Sequence, residues 1–202
     1  MEFTPDLTTK VSKILKNHNC YVERGAFFKP TNVFDCQVIF TRKNLEILSS
    51  GKLNLYKKSP ATTGFASYVV VKTNGKNVNI VNVHGKSIPG HKLDTPARLK
   101  QSETIIEFLK DKNGLTIIGG DFNLMPNTKS ITLLEEAGYR NLIHDFDIKE
   151  TRNRLSWMQF PTHEKQHFAD YVFVSKDVKV NKFEVPYNEI SDHLPQILDF
   201  EI

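Results

Sequence analysis

The sequence predicts an α/β fold in which two sheets carry helices on their outer faces. Three observations point there. Strand-like runs outnumber helical ones, hairpin spacings mix with helix-containing crossovers, and the run 115–118 is short and apolar, as a strand buried on both sides requires.

The elements follow in order. Leu7, Val11, Ile14 and Leu15 recur at i, i+4, i+7 and i+8, an apolar helical stripe, with Thr4 as its cap and Pro5 at its first position. Strand-like runs come next at 20–23 and 34–40. Runs 65–71 and 78–83 flank Asn74-Gly75, which tolerates the positive φ of a type I′ turn and so predicts a hairpin. A second helix starts at Asp94-Thr95-Pro96, buries Ile105, Ile106, Phe108 and Leu109, and stops at Gly114. After the strand 115–118, a third helix runs from 128 to 137 and stops at Gly138. Three strands, 171–174, 178–185 and 196–200, close the chain.

The 202 residues, 39% hydrophobic and 25% charged, exclude a disordered or collagen-like chain and fit one domain over 1–202. No apolar run approaches the ~18 residues of a membrane helix, so no membrane anchor is expected. The start, MEFTPDLTTK, has neither the basic nor the apolar region of a secretory leader, so a cytoplasmic location is expected. Cys20 and Cys36 are one pair among strand residues and read as reduced core thiols. The net charge of +4 permits a polyanionic substrate without a dedicated basic stripe. No protein partner is evident.

Four polar clusters lie at strand ends. Asn82 and His84 share one face by alternation, with Val81 and Val83 on the other. Gly119-Gly120-Asp121-Phe122-Asn123 follows the apolar strand, and its glycines allow close backbone approach. Asp170 opens the run Tyr171-Val172-Phe173-Val174, where a buried carboxylate needs a partner. Ser191-Asp192-His193 precedes Leu194-Pro195. Each cluster alone is an ordinary turn, cap or structural histidine. Together they supply carboxylates, imidazoles and an amide, with no zinc-spaced Cys/His set, nucleophile elbow or Walker loop. Such donors suit a hard cation, Mg²⁺ or Mn²⁺, and water attack on phosphorus.

Asn82-Val83-His84, Gly120-Asp121-Phe122-Asn123, Asp170-Tyr171-Val172-Phe173 and Ser191-Asp192-His193 resemble, in order, the signatures of the endonuclease/exonuclease/phosphatase superfamily. The resemblance runs the length of the chain. It implies a four-layered α/β sandwich and a metal-dependent phosphoesterase, with nucleic acid as the expected phosphodiester substrate. A phosphatase or phospholipase/sphingomyelinase-type hydrolase on a small or lipid phosphate is the alternative. A truncated fold that only binds phosphate is another. It implies that Asp121 positions or deprotonates the attacking water and Asn123 hydrogen-bonds a phosphate oxygen. His193 contacts the phosphate or acts as a base, Asp170 orients its ring, and His84 stabilises developing charge. Asp192 lies near the metal.

One departure stands out. Relatives begin with a strand carrying Asn, a helix, and a strand ending in Gln-Glu. Here Met1-Glu2-Phe3-Thr4 looks like the end of that second strand, which makes Glu2 the metal carboxylate of an N-terminally truncated chain with impaired activity. Asn82, Lys86, Arg152 and Trp157 are the substrate-binding candidates. Lys86, His91 and Lys92 lie in the loop just after His84, beside the expected site, where they are candidates to bind phosphates, though a solvated loop is the favoured expectation. Arg98 is expected to pair with a carboxylate. Thr151, Arg152, Arg154 and Trp157 fall where relatives carry recognition loops.

Overall fold

The computed structural model describes residues 2–3, 5–28, 33–56, 64–158 and 163–202. Its centre is a six-stranded mixed sheet of order β4-β5-β6-β7-β9-β8. The strands are β4 (Glu46–Asn54), β5 (Phe65–Thr73), β6 (Lys76–His84), β7 (Leu115–Asp121), β8 (Tyr139–Asn141) and β9 (Asp170–Ser175). β5 and β6 form the expected hairpin, with Asn74 at φ 51° and Gly75 at φ 75°, both left-handed as a type I′ turn requires. β6 and β7 pair in parallel through a crossover helix, α2 (Pro96–Leu109).

β9 is buried from Asp170 through Val174, so the sheet is covered on both faces at its centre. Ile105 and Leu109 of α2, and Ile131 and Leu134 of α3 (Lys129–Glu136), join Val81, Ile118 and Phe173 in one core. A second sheet, of order β1-β3-β2, comprises β1 (Glu2–Phe3), β2 (His18–Phe28) and β3 (Val33–Arg42) and follows helix α1 (Pro5–Ile14) in part. It is fastened to the central sheet by Gln37, whose amide donates to Phe65 O and accepts from Ser67 N. A third, two-stranded sheet pairs β10 (Lys179–Glu184) with β11 (Ile197–Glu201) and buries Phe183. This is the α/β sandwich class that the motifs imply.

The second and third helices divide their caps unexpectedly. Thr95 Oγ1 accepts from Arg98 N and caps α2. Asp94 reaches across to α3 instead, accepting from Lys129 N at 2.7 Å and Ser130 N at 3.0 Å. One dipeptide thus fixes the starts of two helices. Thr4, the expected cap of α1, lies outside the described residues. Among the described residues four elements had no sequence expectation: β4, β8, the one-turn helix α4 (Leu142–Asp145) and a 3-10 turn at Arg154–Ser156. Both cysteines are free thiols. Among the described residues no helix is long and apolar enough to cross a membrane.

Candidate active site

Strand register builds the site. His84 ends β6 opposite Asp121 at the end of β7, and Asp121 lies opposite Asp170 at the start of β9. An imidazole and two carboxylates therefore share one level at the strand ends of the sheet. Gly120 makes this possible. Its φ is +128°, and a Cβ there would sit 2.2 Å from Val83 O. The fourth cluster arrives from a loop. Arg152 and His193 form an isolated antiparallel bridge, and Thr151 ties the two segments together. Thr151 O accepts from Leu194 N, while its Oγ1 accepts from Ala169 N and Asp170 N. Thr151, placed by sequence among recognition residues, is fully buried and structural.

His193 stands at the centre. Its Nδ1 lies 2.8 Å from Asp170 Oδ2 and 3.0 Å from Oδ1, while Nε2 lies 4.0 Å from Asp121 Oδ2. Burial pushes Asp170 up to about 6; the His193 hydrogen bond pulls the other way and the Asp121 charge adds to the rise. Burial also disfavours the charged imidazole, but the Asp170 hydrogen bond and the charges of Asp170, Asp121 and Asp192 outweigh it and hold His193 above its ordinary value. The pair keeps a proton on Nδ1, between ring and carboxylate, and leaves Nε2 to the site.

Asn123, at φ 54°, is buried beside this group. Its backbone N–H donates to Asp121 Oδ1 at 2.8 Å and its Nδ2 to Asp121 Oδ2 at 3.1 Å and Gly85 O at 3.3 Å. Its Oδ1 accepts from Lys92 Nζ. Lys92 is buried, not solvated as the sequence had implied. Burial lowers it, Asp121 and Asp170 raise it, and Arg152 and Arg98 lower it further. Arg98 explains the burial. Among the described residues its guanidinium makes no hydrogen bond to a carboxylate, although it feels the charges of Asp94 and Asp121. It donates to the carbonyls of Lys86 (3.1 Å), Leu93 (2.6 Å), Ser87 (3.3 Å) and Pro89 (2.6 Å), clamping the loop that carries Lys92.

Asp35 was not among the residues expected in the site. It is 1% exposed, its Oδ1 is 3.7 Å from His84 Nδ1, and its Oδ2 is buried with no hydrogen-bond partner among the described residues. Lying among strand residues of β3, it carried no motif. The available signal was an aspartate inside an otherwise β-prone run, which demands a functional or electrostatic partner. β1 pairs Glu2 opposite Asp35, so the Glu2 backbone reaches this neighbourhood; the Glu2 side chain lies outside the described part of the structure.

The remaining candidates spread around this centre. Asn82 is half-buried one register step back, opposite Gly119. Lys86 Nζ lies 5.0 Å over the Tyr56 ring, away from the Asn123 hydrogen bonds. Asp192 is at the solvent edge, its Oδ2 3.7 Å from both His193 Nε2 and Arg152 NH2. Arg152 and Trp157 line a cavity of about 730 Å³ together with Lys92 and Asn123, so the cavity adjoins the site through Asn123, which hydrogen-bonds Asp121. Arg154 points elsewhere, into a bidentate pair with Glu189 at 2.6 Å.

The donor set fits a hard divalent cation. Asp121, Asp170 and His193 bring ligand atoms within 4.8 Å of one another, and among the described residues Asp35 Oδ2 is buried with no hydrogen-bond partner. A histidine backed by a buried carboxylate, a second carboxylate facing its free nitrogen and cations on the rim can together activate a water and hold an anion. Residues 37–193 match the Endonuclease/Exonuclease/phosphatase family, and the chain belongs to it. It is 26% identical over 161 residues to phospholipase C of Staphylococcus aureus, covering 63% of this chain and 48% of that one. The chain thus spans about half the length of the curated relatives it matches. Two solved structures share the fold. The Bacteroides thetaiotaomicron mannosyl-6-phosphatase superposes with a TM-score of 0.71 at 17% identity, over 98% of this chain and 82% of that one. The D. rerio TDP2 bound to a single-stranded DNA product gives 0.72 at 15%, over 100% and 84%.

Proposed function

We propose that this chain hydrolyses phosphodiester bonds, with nucleic acid as the substrate, by attack of water on phosphorus. The observation that carries the reading is His193, held by Asp170 at 2.8 Å with its free nitrogen 4.0 Å from Asp121. A water oxygen fits between these two groups within hydrogen-bond reach of both. Asp121 and His193 then orient it and take its proton. Asp170 keeps the imidazole in the tautomer that presents Nε2 and stabilises the imidazolium that forms.

His84, backed by the buried Asp35 carboxylate, faces the same space from the neighbouring strand and supports charge developing on phosphate oxygens. Glu2, Asp192 and Asp121 are the residues that would hold Mg²⁺ or Mn²⁺. A bound divalent ion supplies Lewis-acid neutralisation of phosphate charge. The half-buried Trp157 on the cavity wall supports a nucleobase as the neighbouring group, since every base offers a face to stack.

The relatives named above are a phospholipase C, a mannosyl-6-phosphatase and a TDP2 bound to a DNA product, so the substrate test must span lipid, sugar and nucleic-acid phosphoesters. The purified chain is assayed on bis-p-nitrophenyl phosphate, single-stranded oligonucleotide, a hexose 6-phosphate and sphingomyelin vesicles, with Mg²⁺, Mn²⁺ or EDTA. The expected result is metal-dependent diester cleavage, fastest on the oligonucleotide, lost by about 10³-fold in Asp121→Asn and His193→Ala. Turnover that survives EDTA, or that His193→Ala leaves intact, overturns the mechanism. Preference for the sugar phosphate or the vesicles overturns the substrate.

A further inference from the structure

The resemblance gives the phosphate contact to Asn123. Hydrogen-bond arithmetic in this chain gives it to another residue. A side-chain amide has two donor hydrogens and one carbonyl oxygen. Both Asn123 donors are engaged, on Asp121 Oδ2 and Gly85 O, and its oxygen accepts from Lys92. The opposite amide orientation is chemically excluded. It would set a carbonyl against the Asp121 carboxylate and an NH₂ against an ammonium. Asn123 therefore has no donor left for a substrate.

Lys92 is in the reverse position. Its ammonium carries three donors, and Asn123 Oδ1 is its one hydrogen-bond acceptor among the described residues. It is 7% exposed, and that exposure is toward the cavity, which it lines with Asn123 and Arg152. Its backbone is held as firmly as its side chain. Its own carbonyl accepts from Met125 N at 2.8 Å, and Arg98 clamps the carbonyl of the next residue at 2.6 Å. A buried cation with spare donors, facing a cavity beside two carboxylates and a second cation, is a built anion ligand.

We propose that Lys92 is the residue that grips a non-bridging oxygen of the substrate phosphate, and that Asn123 is a positioning residue, fixing the ammonium on one side and the Asp121 carboxylate on the other. This rests on the phosphoesterase reading of the site. It adds a catalytic residue from a loop that none of the four motifs contains.

The test uses inorganic phosphate as the probe, in EDTA, with binding read by calorimetry on the wild type, Lys92→Met, Lys92→Arg and the surface control Lys149→Met. Circular dichroism verifies folding of each. Lys92→Met is expected to bind phosphate at least tenfold more weakly than wild type, and Lys92→Arg and Lys149→Met within threefold of it. Phosphate protection of wild-type Lys92 from acylation, read by mass spectrometry, gives the same answer without a substitution. At least threefold slower labelling at Lys92, with Lys149 unaffected, is expected. Unchanged affinity in Lys92→Met, or unprotected Lys92, overturns the assignment while leaving the phosphoesterase reading intact. That reading fails separately, if Asp121→Asn turns over diesters like wild type.

Discussion

Replacing Asp170 by Asn should make the protein more stable and nearly inactive. A carboxyl held at about 6 instead of 3.8 costs on the order of 3 kcal/mol when ionised, at about 1.4 kcal/mol per pH unit. The favourable His193 contact is already inside that figure, because it lowers the value that burial raises. The carboxamide avoids the cost of burying charge, but leaves an N–H facing His193 without an acceptor, a loss of about 1–2 kcal/mol. The net gain above pH 7 is therefore about 1–2 kcal/mol. The pH dependence has a definite sign. Between 3.8 and about 6 the folded protein holds a proton that the unfolded chain has released. Wild-type stability from this group thus rises as pH falls through 6 and is complete below 3.8. The advantage of Asp170→Asn should be full at pH 7.5 and absent at pH 4. Urea unfolding of both proteins in EDTA at the two pH values measures it. Turnover at pH 7.5 should fall about 10²–10⁴-fold, since the imidazole loses its orienting carboxylate. A variant that is less stable than wild type at pH 7.5, or a difference that does not change with pH, refutes the reasoning.

Three further outcomes follow from the same geometry. Asp35→Asn should lower kcat about 10–100-fold with little change in KM, because the charge facing His84 disappears while the cavity stays as it was; steady-state kinetics decide, and an unchanged kcat removes Asp35 from the site. Gly120→Ala should cost about 3 kcal/mol or prevent folding, since the new methyl meets a backbone carbonyl at a positive φ; a melting temperature within 2 °C of wild type, about the smallest shift expected per kcal/mol, contradicts this. If nucleic acid is bound through phosphates, its affinity should fall as salt rises, with a slope set by a few contacts; salt-independent binding of an oligonucleotide argues for a different substrate.

Periodicity and turn chemistry made much of the fold legible. The hairpin at Asn74-Gly75 and the start at Thr95-Pro96 are local signals, fixed by φ and by capping, and they appear where the sequence puts them. β4 was illegible for a physical reason. It is an edge strand, Glu46 to Asn54, largely exposed and broken by a bulge between Ile47 and Ser49, so burial imposes no alternation on it. The site divides in the same way. His84, Asp121, Asp170 and His193 are readable because each ends or borders a strand. That they meet depends on register between strands far apart in sequence. Asp35 escapes notice, and Lys92 is readable only as one of three loop candidates for phosphate, because their significance lies in burial, which no motif encodes. Arg98 does feel the charges of Asp94 and Asp121, but a fully buried guanidinium also needs acceptors for its donors, and carbonyls supply them here.

The Arg98 clamp has a consequence for how substrates are exchanged and how specificity can change. Holding the backbone between residues 86 and 93 in one conformation removes conformational freedom worth on the order of 10 kcal/mol, at roughly 1–2 kcal/mol per residue. That entropy is surrendered when the chain folds, not when a ligand arrives. The loop therefore does not act as a lid. Of the exposed side chains on that wall, that of Ser87 takes no part in the clamp, whereas His91 Nδ1 accepts from Leu93 N at 2.9 Å and helps to hold the frame. Ser87 can be exchanged without disturbing the backbone beneath it, so this stretch works like a fixed rack with a replaceable tooth: a place where the ligand preference of the cavity is adjustable at constant backbone.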